Sequence, residues 1–427
     1  MPGRQIGNPR AVEAVAGRAR LGGTWVFGAL FLSLAFQAAP VQAEPVAGPE
    51  NREPTSPPPP QDAPEAGSTL ATPRVKHSFF SQFIDPEDHA LDFSAFLAKG
   101  GFIPAPIIIT EPAVDGGGGV ALAFFKANPE HPRQVTRHII GAFRTGNGSE
   151  GLGYFQSGYA FDGRLNYRFG IGHGEVTLDT FPAFAPDGVE YTSQYDYGIV
   201  GSALWHFSDD RFSIGPVFDF RKLTSTINTS FLPEDVADDF GMTLQTGALG
   251  LGLHFDSRDN AISPTRGVNA YVEGKFNREA FGSDRDYEVY AADLYVFGPV
   301  AGPVRYGAKV QIDAIRDDFP FFYAPAVSLR GVQAAEYQGM TAVSTEVETT
   351  WQVSPRWALL AFAGYGSADS GDRRIFSDSG DIWAGGVGFR YRLARRLGMD
   401  AGADFAWGPG GFIWYLQFGH AWSFGMD

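Results

Sequence analysis

The sequence predicts an all-β fold, a 16-stranded antiparallel β-barrel that spans a membrane. From residue 116 onward, apolar and polar side chains alternate with a period of two in segments of roughly 10 residues, as in membrane barrel strands. Beyond residue 43 no apolar stretch approaches the roughly 20 residues of a membrane helix, so membrane insertion would have to use strands. Glycine (54 residues) and aromatics (14%) are abundant, and only 19% of residues are charged, where about 25% is usual.

The N-terminus has the parts of a signal peptide. Arg18 and Arg20 supply positive charge before the short apolar run from Trp25 to Phe36. Residues 41–43 (Val-Gln-Ala) form a small-residue cleavage pattern, which places the cut before Glu44. An uncleaved anchor helix is the alternative, but the apolar run is short for a membrane span. We therefore expect an exported mature chain.

Charge and cysteine content exclude several classes of function. Residues 1–43 hold four basic side chains and one acidic side chain, so their removal changes the formal net charge from −15 to −18. This acidic balance speaks against nucleic acid as a partner. The chain has no cysteine, which excludes disulfides and thiolate metal sites. We expect neither a metal nor a cofactor.

The alternation is clear in segment 342–353, where Val347 and Trp351 oppose Glu346 and Glu348. A soluble β-sandwich also alternates. The polar face of a sandwich, however, would be rich in lysine and glutamate. In this sequence the polar face instead mixes Arg, Asp, Glu, Gln, Gly and Ser. Aromatic residues also gather near the segment ends, as in the interfacial belts of membrane proteins. The barrel is the better interpretation.

Sixteen strands can be counted from 116–126 to 411–424, with 163–172 and 174–183 taken as separate strands. An even number is usual for bacterial single-chain barrels. The connection between Asp317 and Gln338 is far longer than a hairpin needs. The predicted organisation is a signal peptide (1–43), a disordered proline-rich linker (44–75), a periplasmic lead-in segment (76–115) and the barrel (116–427).

Two stretches carry a resemblance to a known family. The first is Asp256-Ser257-Arg258-Asp259-Asn260, followed by Pro264 and Gly267, and the second is Leu329-Arg330-Gly331-Val332 in the long connection. They resemble the D-x-R-D-N turn with its following P-x-x-G, and the V/I-R-G-F/Y tip of the sixth outer loop, in the BamA/TamA superfamily of outer-membrane assembly and translocation barrels (bacterial surface antigen type). The resemblance covers roughly residues 116–427.

The sequence departs from this family at three points. Val332 stands where the loop motif ends in an aromatic residue. The thirteenth strand reads Phe362-Ala363-Gly364-Tyr365-Gly366, where the family has F-x-D-x-G, so the carboxylate that holds the loop arginine is missing there. The stretch between the cleavage site and the first predicted strand is too short for POTRA domains, and we expect a barrel without them.

The resemblance implies that the sixth outer loop folds back into the lumen, where its arginine pairs with carboxylates of the wall. That residue is Arg330, and alternation places Glu346, Glu348, Asp400 and Asp404 on the lumen face. A guanidinium can bridge such carboxylates through parallel hydrogen bonds. The alternative is a solvated arginine at a loop tip.

The first motif holds too few oxygens for calcium, since Asp256 and Asp259 are its only carboxylates. We expect a turn that caps a strand end.

Glycines in the first and last predicted strands suggest a weak closing seam. Gly117 and Gly118 lie in the first strand, and Gly419 lies in the last, close to Trp422 and Phe424 as possible terminal aromatics. Glycine in a strand marks a bend or a close approach. The seam could open sideways; alternatively, these glycines only face crowded lumen side chains.

No catalytic constellation is present. The sequence lacks G-x-S-x-G and H-E-x-x-H, and its eight histidines are scattered. We expect no enzyme. The resemblance implies a barrel of a Gram-negative-type outer membrane, acting in protein insertion, translocation or membrane organisation. Its expected partners are outer-membrane lipid, the barrel-assembly machinery during its own insertion, and a client polypeptide or lipid. The competing hypothesis is a passive channel or structural barrel that keeps only the fold.

Overall fold

A computed structural model describes residues 83–94, 101–127, 135–180, 189–207, 211–228, 242–260, 263–319, 323–369, 381–395 and 398–422. The predicted signal peptide and proline-rich linker lie outside these ranges. The sixteen strands are β1 (Gly101–Ile109), β2 (Gly117–Ala127), β3 (Val135–Thr145), β4 (Glu150–Ala160), β5 (Leu165–Thr180), β6 (Val189–His206), β7 (Phe212–Asn228), β8 (Met242–Asp256), β9 (Gly267–Asn277), β10 (Tyr287–Ala301), β11 (Val304–Asp317), β12 (Thr341–Gln352), β13 (Trp357–Asp369), β14 (Asp381–Ala394), β15 (Met399–Gly408) and β16 (Gly411–Phe418).

All sixteen strands form one antiparallel sheet in sequence order, which curls into a nearly closed barrel. Among the described residues, β1 pairs only with β2 and β16 pairs only with β15. We call the boundary between β1 and β16 the seam. The connections that follow even-numbered strands, from β2–β3 to β14–β15, lie at one end of the barrel, which we call the turn end. The opposite end carries the long β11–β12 connection, and we call it the loop end.

The predicted strand count is correct, but two boundaries behind it are wrong. Residues 101–109, assigned to the lead-in segment, form β1, so the barrel begins before residue 116. Pro104 and Pro106 fit this position, because proline is tolerated on an edge strand, where its missing N–H breaks no ladder. Predicted strands 163–172 and 174–183 are one strand, β5, which is interrupted only by a register shift at Gly172–Gly174.

The two faces of the sheet differ sharply in exposure. Along β12, Val347 is 60% exposed, whereas its neighbours Glu346 and Glu348 are 2% and 3% exposed. The face shared with Val347 is the outward one, and it carries large apolar side chains on strands all around the sheet, among them Leu152, Trp205, Leu251, Val272, Trp351, Trp383, Val387 and Trp414. An apolar outward face with buried polar side chains behind it is the arrangement of a membrane barrel. No helix among the described residues is long and apolar enough to cross a membrane.

The inward face of the sheet carries a buried apolar cluster, most of which lies on the first half of the sheet. It draws on strands β1 to β8 together with β10 and β11, and it includes Ile139, Phe155, Tyr191, Tyr195, Leu223, Leu244, Tyr287 and Ile315. Tyr323 and Ala335 of the β11–β12 connection belong to the same cluster. This connection therefore packs against strands that are distant from it in the sequence.

Candidate functional site

The tip of the β11–β12 connection is a tight turn at Leu329–Val332, where the Val332 N–H donates to the Leu329 carbonyl (3.2 Å). Gly331 has a φ of +98°, in the left-handed region that glycine favours. A Cβ at this position would lie 3.2 Å from the Ala406 Cβ and 3.2 Å from the Trp407 carbonyl on β15. Glycine thus lets the tip approach the β15 backbone closely.

Arg330 projects from this tip into a set of carboxylates on the inward face. Its Nε and Nη2 donate to Oε1 of Glu346 at 3.0 and 2.7 Å, and Nη2 also donates to Oε2 of Glu348 at 2.8 Å. Nη1 donates to Oδ2 of Asp404 at 2.8 Å. The backbone N–H of Arg330 donates to Glu346 as well (3.3 Å). Three predicted partners on β12 and β15 are therefore bonded to one guanidinium.

The cluster around Arg330 is buried and supported from several sides. The Phe362 ring lies 3.6 Å from the guanidinium carbon, close enough for a cation–π contact. Arg390 donates to both oxygens of Asp404 (2.6 and 3.0 Å), and His420 lies 3.2 Å from Glu348. Buried charges are tolerated only when paired and hydrogen-bonded. Arg390 thus supplies a second cation beside the three carboxylates.

Asp400, the fourth predicted partner, is bonded elsewhere. It accepts a hydrogen bond from the guanidinium of Arg392 on β14. Asp400 and Asp404 share a face, but four residues along a strand separate them by about 13 Å. One guanidinium cannot reach both, so the prediction that Asp400 holds Arg330 is corrected.

The sequence places Gly419 in the last strand and Trp422 close to its end. In the structure, however, the C-terminal residues do not continue the wall. Strand β16 ends at Phe418, and Gly419 has a φ of +79°. The chain turns there, and Trp422 packs in the interior against Tyr295 and Phe297. Its indole N–H donates to Oε1 of Glu346 at 2.6 Å. Trp422 is therefore part of the arginine cluster rather than of a closing strand, and Phe424 lies outside the described residues.

The loop tip is also bonded to both sides of the seam. On the β16 side, the Gly331 N–H donates to the Tyr415 hydroxyl (2.9 Å). On the β1 side, the Glu111 carboxylate in the β1–β2 connection accepts from the Ala334 N–H (3.2 Å). Strands β1 and β16 do not pair with each other within the described ranges, but at the loop end they are thus held together indirectly through the β11–β12 connection.

Sequence reasoning missed Arg390, Tyr415 and Trp422 as members of this site. Arg390 could have been found, because it lies on the strand next to Asp404, diagonally displaced by two residues. Tyr415 and Trp422 gave no such signal, since one depends on the path of a long loop and the other on a chain reversal after Gly419.

The D-x-R-D-N motif forms the turn between β8 and β9, which the structure describes apart from two residues, 261 and 262. Arg258 donates to both oxygens of Asp256 (2.9 and 2.8 Å), and Asn260 accepts from the Ser263 N–H (2.9 Å). Asp259 accepts from the Thr265 N–H (2.9 Å) and from the Arg266 N–H (3.2 Å). The motif's polar groups thus bond within the turn.

The two remaining motif residues shape and line the same turn. Gly267 has a φ of +111°, and a Cβ there would lie 2.5 Å from the Ser257 carbonyl oxygen. Pro264 lines a cavity beside Arg305 and His420. Ser263 accepts a hydrogen bond from the Asp400 N–H (3.3 Å), which connects this turn to β15.

Gly117 and Gly118 do not lie at the seam, because they belong to β2, which is an internal strand between β1 and β3. A Cβ on Gly117 would lie 2.5 Å from the Arg144 carbonyl oxygen of β3, whereas Gly118 has more room. Gly117 therefore permits a close strand approach, and neither glycine forms part of the β1–β16 boundary.

Comparison with known proteins supports the fold. Neither a family model nor a curated protein matches the sequence. Among solved structures, the chain is similar to BamA from Haemophilus ducreyi lacking POTRA domains 1–3 (TM-score 0.52, 11% identity, 75% of this chain and 70% of that one). It is similar to CdiB from Acinetobacter baumannii (0.53, 11%, 74% and 59%) and CdiB from Escherichia coli (0.51, 9%, 73% and 61%). The chain spans less than two thirds of the two CdiB proteins. It has the 16-stranded barrel fold that BamA and CdiB share.

Proposed function

We propose that this protein is an outer-membrane barrel that inserts or translocates polypeptides at its β1–β16 seam. The observation that carries the proposal is the seam itself: two edge strands lie at the boundary of the barrel without pairing with each other among the described residues. The fold of BamA and CdiB supports it. The predicted signal peptide would deliver the chain, and the barrel-assembly machinery would insert it with its turn end toward the periplasm.

The chemistry of the two edges fits this role. Unpaired N–H and C=O groups along a strand edge are a template for another strand, and in lipid each unsatisfied group costs several kcal/mol. Pro104 and Pro106 on β1 cannot donate a backbone hydrogen bond, which weakens any ladder between β1 and β16. Strand β16 (GFIWYLQF) has no proline and can pair along its whole length. A client strand that pairs with β16 would satisfy this edge better than β1 does.

In this proposal the β11–β12 connection occupies the lumen and closes it. Arg330 fixes the tip to the wall, and Tyr323 and Ala335 join the apolar cluster of the first half of the sheet. A passive channel needs an open path, so these contacts favour the seam over the pore as the route of transport. We propose no enzymatic activity.

Site-specific photocrosslinking in cells tests the proposal. A photoreactive phenylalanine analogue replaces Ile108 on β1 or Phe412 on β16, both exposed on the outward face. The matched control carries the probe at Val347, which is also exposed on the outward face but lies on β12. We expect adducts with unfolded exported polypeptides at the two seam positions only. Identical adducts at Val347 would contradict a seam-based function.

Planar-bilayer recording separates this function from the competing passive channel. The full-length barrel is compared with a variant in which residues 323–336 are replaced by a short glycine-serine linker. We expect conductance to be low in the full-length protein and high in the variant. Equally high conductance in both would favour the passive channel.

A further inference from the structure

Residues 83–94, which precede β1, form a compact segment that we call the N-terminal strap. The Asp85 N–H donates to the Ala90 carbonyl and the Asp92 N–H donates to the Phe83 carbonyl, each at 2.9 Å. The rings of Phe83 and Phe93 pack with their centroids 5.0 Å apart. The strap is thus folded by its own hydrogen bonds and presents several acidic side chains on one small unit.

Arg356, in the β12–β13 turn at the turn end of the barrel, is enclosed by these acidic side chains. It donates to Asp85 at 2.5 Å, to Asp88 at 2.6 and 2.9 Å, and to Asp92 at 2.6 Å. It also donates to the Arg392 carbonyl at 3.1 Å. One guanidinium therefore connects three carboxylates of the strap with the β12–β13 turn and with β14.

Further contacts fix the strap to the same part of the barrel. The Phe93 N–H donates to the Leu393 carbonyl (2.9 Å), and the Tyr391 hydroxyl donates to the Leu91 carbonyl (2.8 Å). The Arg395 N–H donates to Asp92 (3.0 Å), and its guanidinium pairs with Glu87. All these anchors lie on β14 or on the turns that flank β13 and β14.

The position of the strap in the chain gives these contacts a mechanical consequence. The strap precedes β1, which forms one side of the seam. Its anchors, however, lie on the other side of the seam, on β14 and the neighbouring turns, with β15 and β16 in between. Seven residue steps separate Ser94 from Gly101, which limits the distance between them to about 25 Å. While the strap is bound, the turn end of β1 cannot move far from the C-terminal strands.

We propose that the N-terminal strap is a latch that holds the seam shut at the turn end, with Arg356 as its fastening residue. At the loop end the corresponding connection runs through Glu111, Ala334, Gly331 and Tyr415. Release of the strap would let β1 separate from β16 at the turn end only. This inference concerns the seam and does not depend on whether the barrel handles client polypeptides.

The latch can be tested on the full-length protein in nanodiscs, with hydrogen exchange and spin-label distances as readouts. Because the chain has no cysteine, labels can be placed without background, at position 103 of β1 and at Leu416 of β16 for the turn end, and at Ile108 and Phe412 for the loop end. The variant is Arg356→Gln. The control is Arg266→Gln, since Arg266 lies in another turn at the same end with a side chain that is 79% exposed.

In Arg356→Gln we expect the amides of residues 83–94 to exchange at least about tenfold faster, as for a segment that opens locally. The 103–416 distances should lengthen and broaden, while the 108–412 distances stay as in the wild type. Arg266→Gln should change neither. The triple variant Asp85→Asn, Asp88→Asn and Asp92→Asn, which keeps oxygen acceptors in the strap, should reproduce Arg356→Gln.

Two results would overturn the latch. If the strap amides in Arg356→Gln remain as protected as in the wild type, Arg356 is not the fastening residue. If the strap is freed while the 103–416 distances stay unchanged, the strap is only an attachment and does not control the seam.

Discussion

Two arginines in this barrel are each bound by three carboxylates, but the two sites differ in where the carboxylates lie. The partners of Arg330 are strand residues of β12 and β15, with side chains 0–2% exposed. The partners of Arg356 all come from one eight-residue stretch outside the sheet, and one of them, Asp88, is 33% exposed.

Equal numbers of ion pairs have unequal consequences at these two sites. Removal of Arg330 leaves carboxylates in a buried wall that cannot turn toward water, and breaking a buried pair in this way is costly. Removal of Arg356 leaves carboxylates on a small segment that can move into solvent, where exposed ion pairs contribute little. The first site therefore stabilises the barrel, and the second fixes a detachable part.

Arg330→Ala should lower the stability of the barrel more than any other substitution considered. We expect the free energy of unfolding to fall by about 3–5 kcal/mol, because three buried carboxylates lose their shared cation. The urea concentration at which the folded band disappears on a gel of unheated samples measures this change. Arg285→Ala is the control, since Arg285 pairs at 3.4 Å with the exposed Asp318; its expected change is about 0–1 kcal/mol. Similar midpoints for both variants would remove the distinction between the two arginine sites.

An intermediate effect is expected from Trp422→Phe. The substitution keeps the ring contacts in outline but removes the 2.6 Å hydrogen bond from the indole to Glu346, at a cost of about 1.5–3 kcal/mol. The same urea titration measures it. The matched control is Trp414→Phe on β16, because Trp414 faces outward and is 42% exposed. If both variants unfold at the same midpoint, the interior position of Trp422 is wrong.

The smallest effect concerns pH and the strap. The hydrogen bond from Arg356 lowers the pKa of Asp88 from 3.8 to about 2, and Asp92 also has a lowered pKa because hydrogen bonds from Ser94 and Arg356 outweigh its burial. A lowered pKa means that the attachment is fully present above pH 3.8 and is lost as the pH falls toward 2. Within the described part of the chain, Asp85, Glu87 and Arg395 are further charged groups at this contact.

A spin label at the exposed Ile84 of the strap should therefore stay immobile from pH 7 to about pH 4 and become mobile only below it. In Arg356→Gln the label should be mobile at all of these pH values. A label that becomes mobile near pH 6 in the wild type would show that carboxylates do not control the attachment.

Much of the architecture could be predicted because a strand has a strict period of two. Parity alone placed Val347 outward and Glu346, Glu348 and Asp404 on the opposite face. The loop motif around Arg330 then indicated what those carboxylates meet. The total of sixteen strands was predicted as well, but only because the omission of β1 was offset by counting β5 as two strands. The alternation with a period of two was recognised only from residue 116, so β1 was assigned to the lead-in segment, and the division of β5 falls at its register shift between Gly172 and Gly174.

Which side chains share a face follows from the sequence alone, because alternation along a strand does not depend on the neighbouring strands. Which residues of one face meet follows only from the folded barrel, because contact across it depends on register, on strand tilt and on the path of long connections. For this reason Asp404 rather than Asp400 binds Arg330, Trp422 turns inward to Glu346, and three aspartates far from Arg356 in the sequence converge on it.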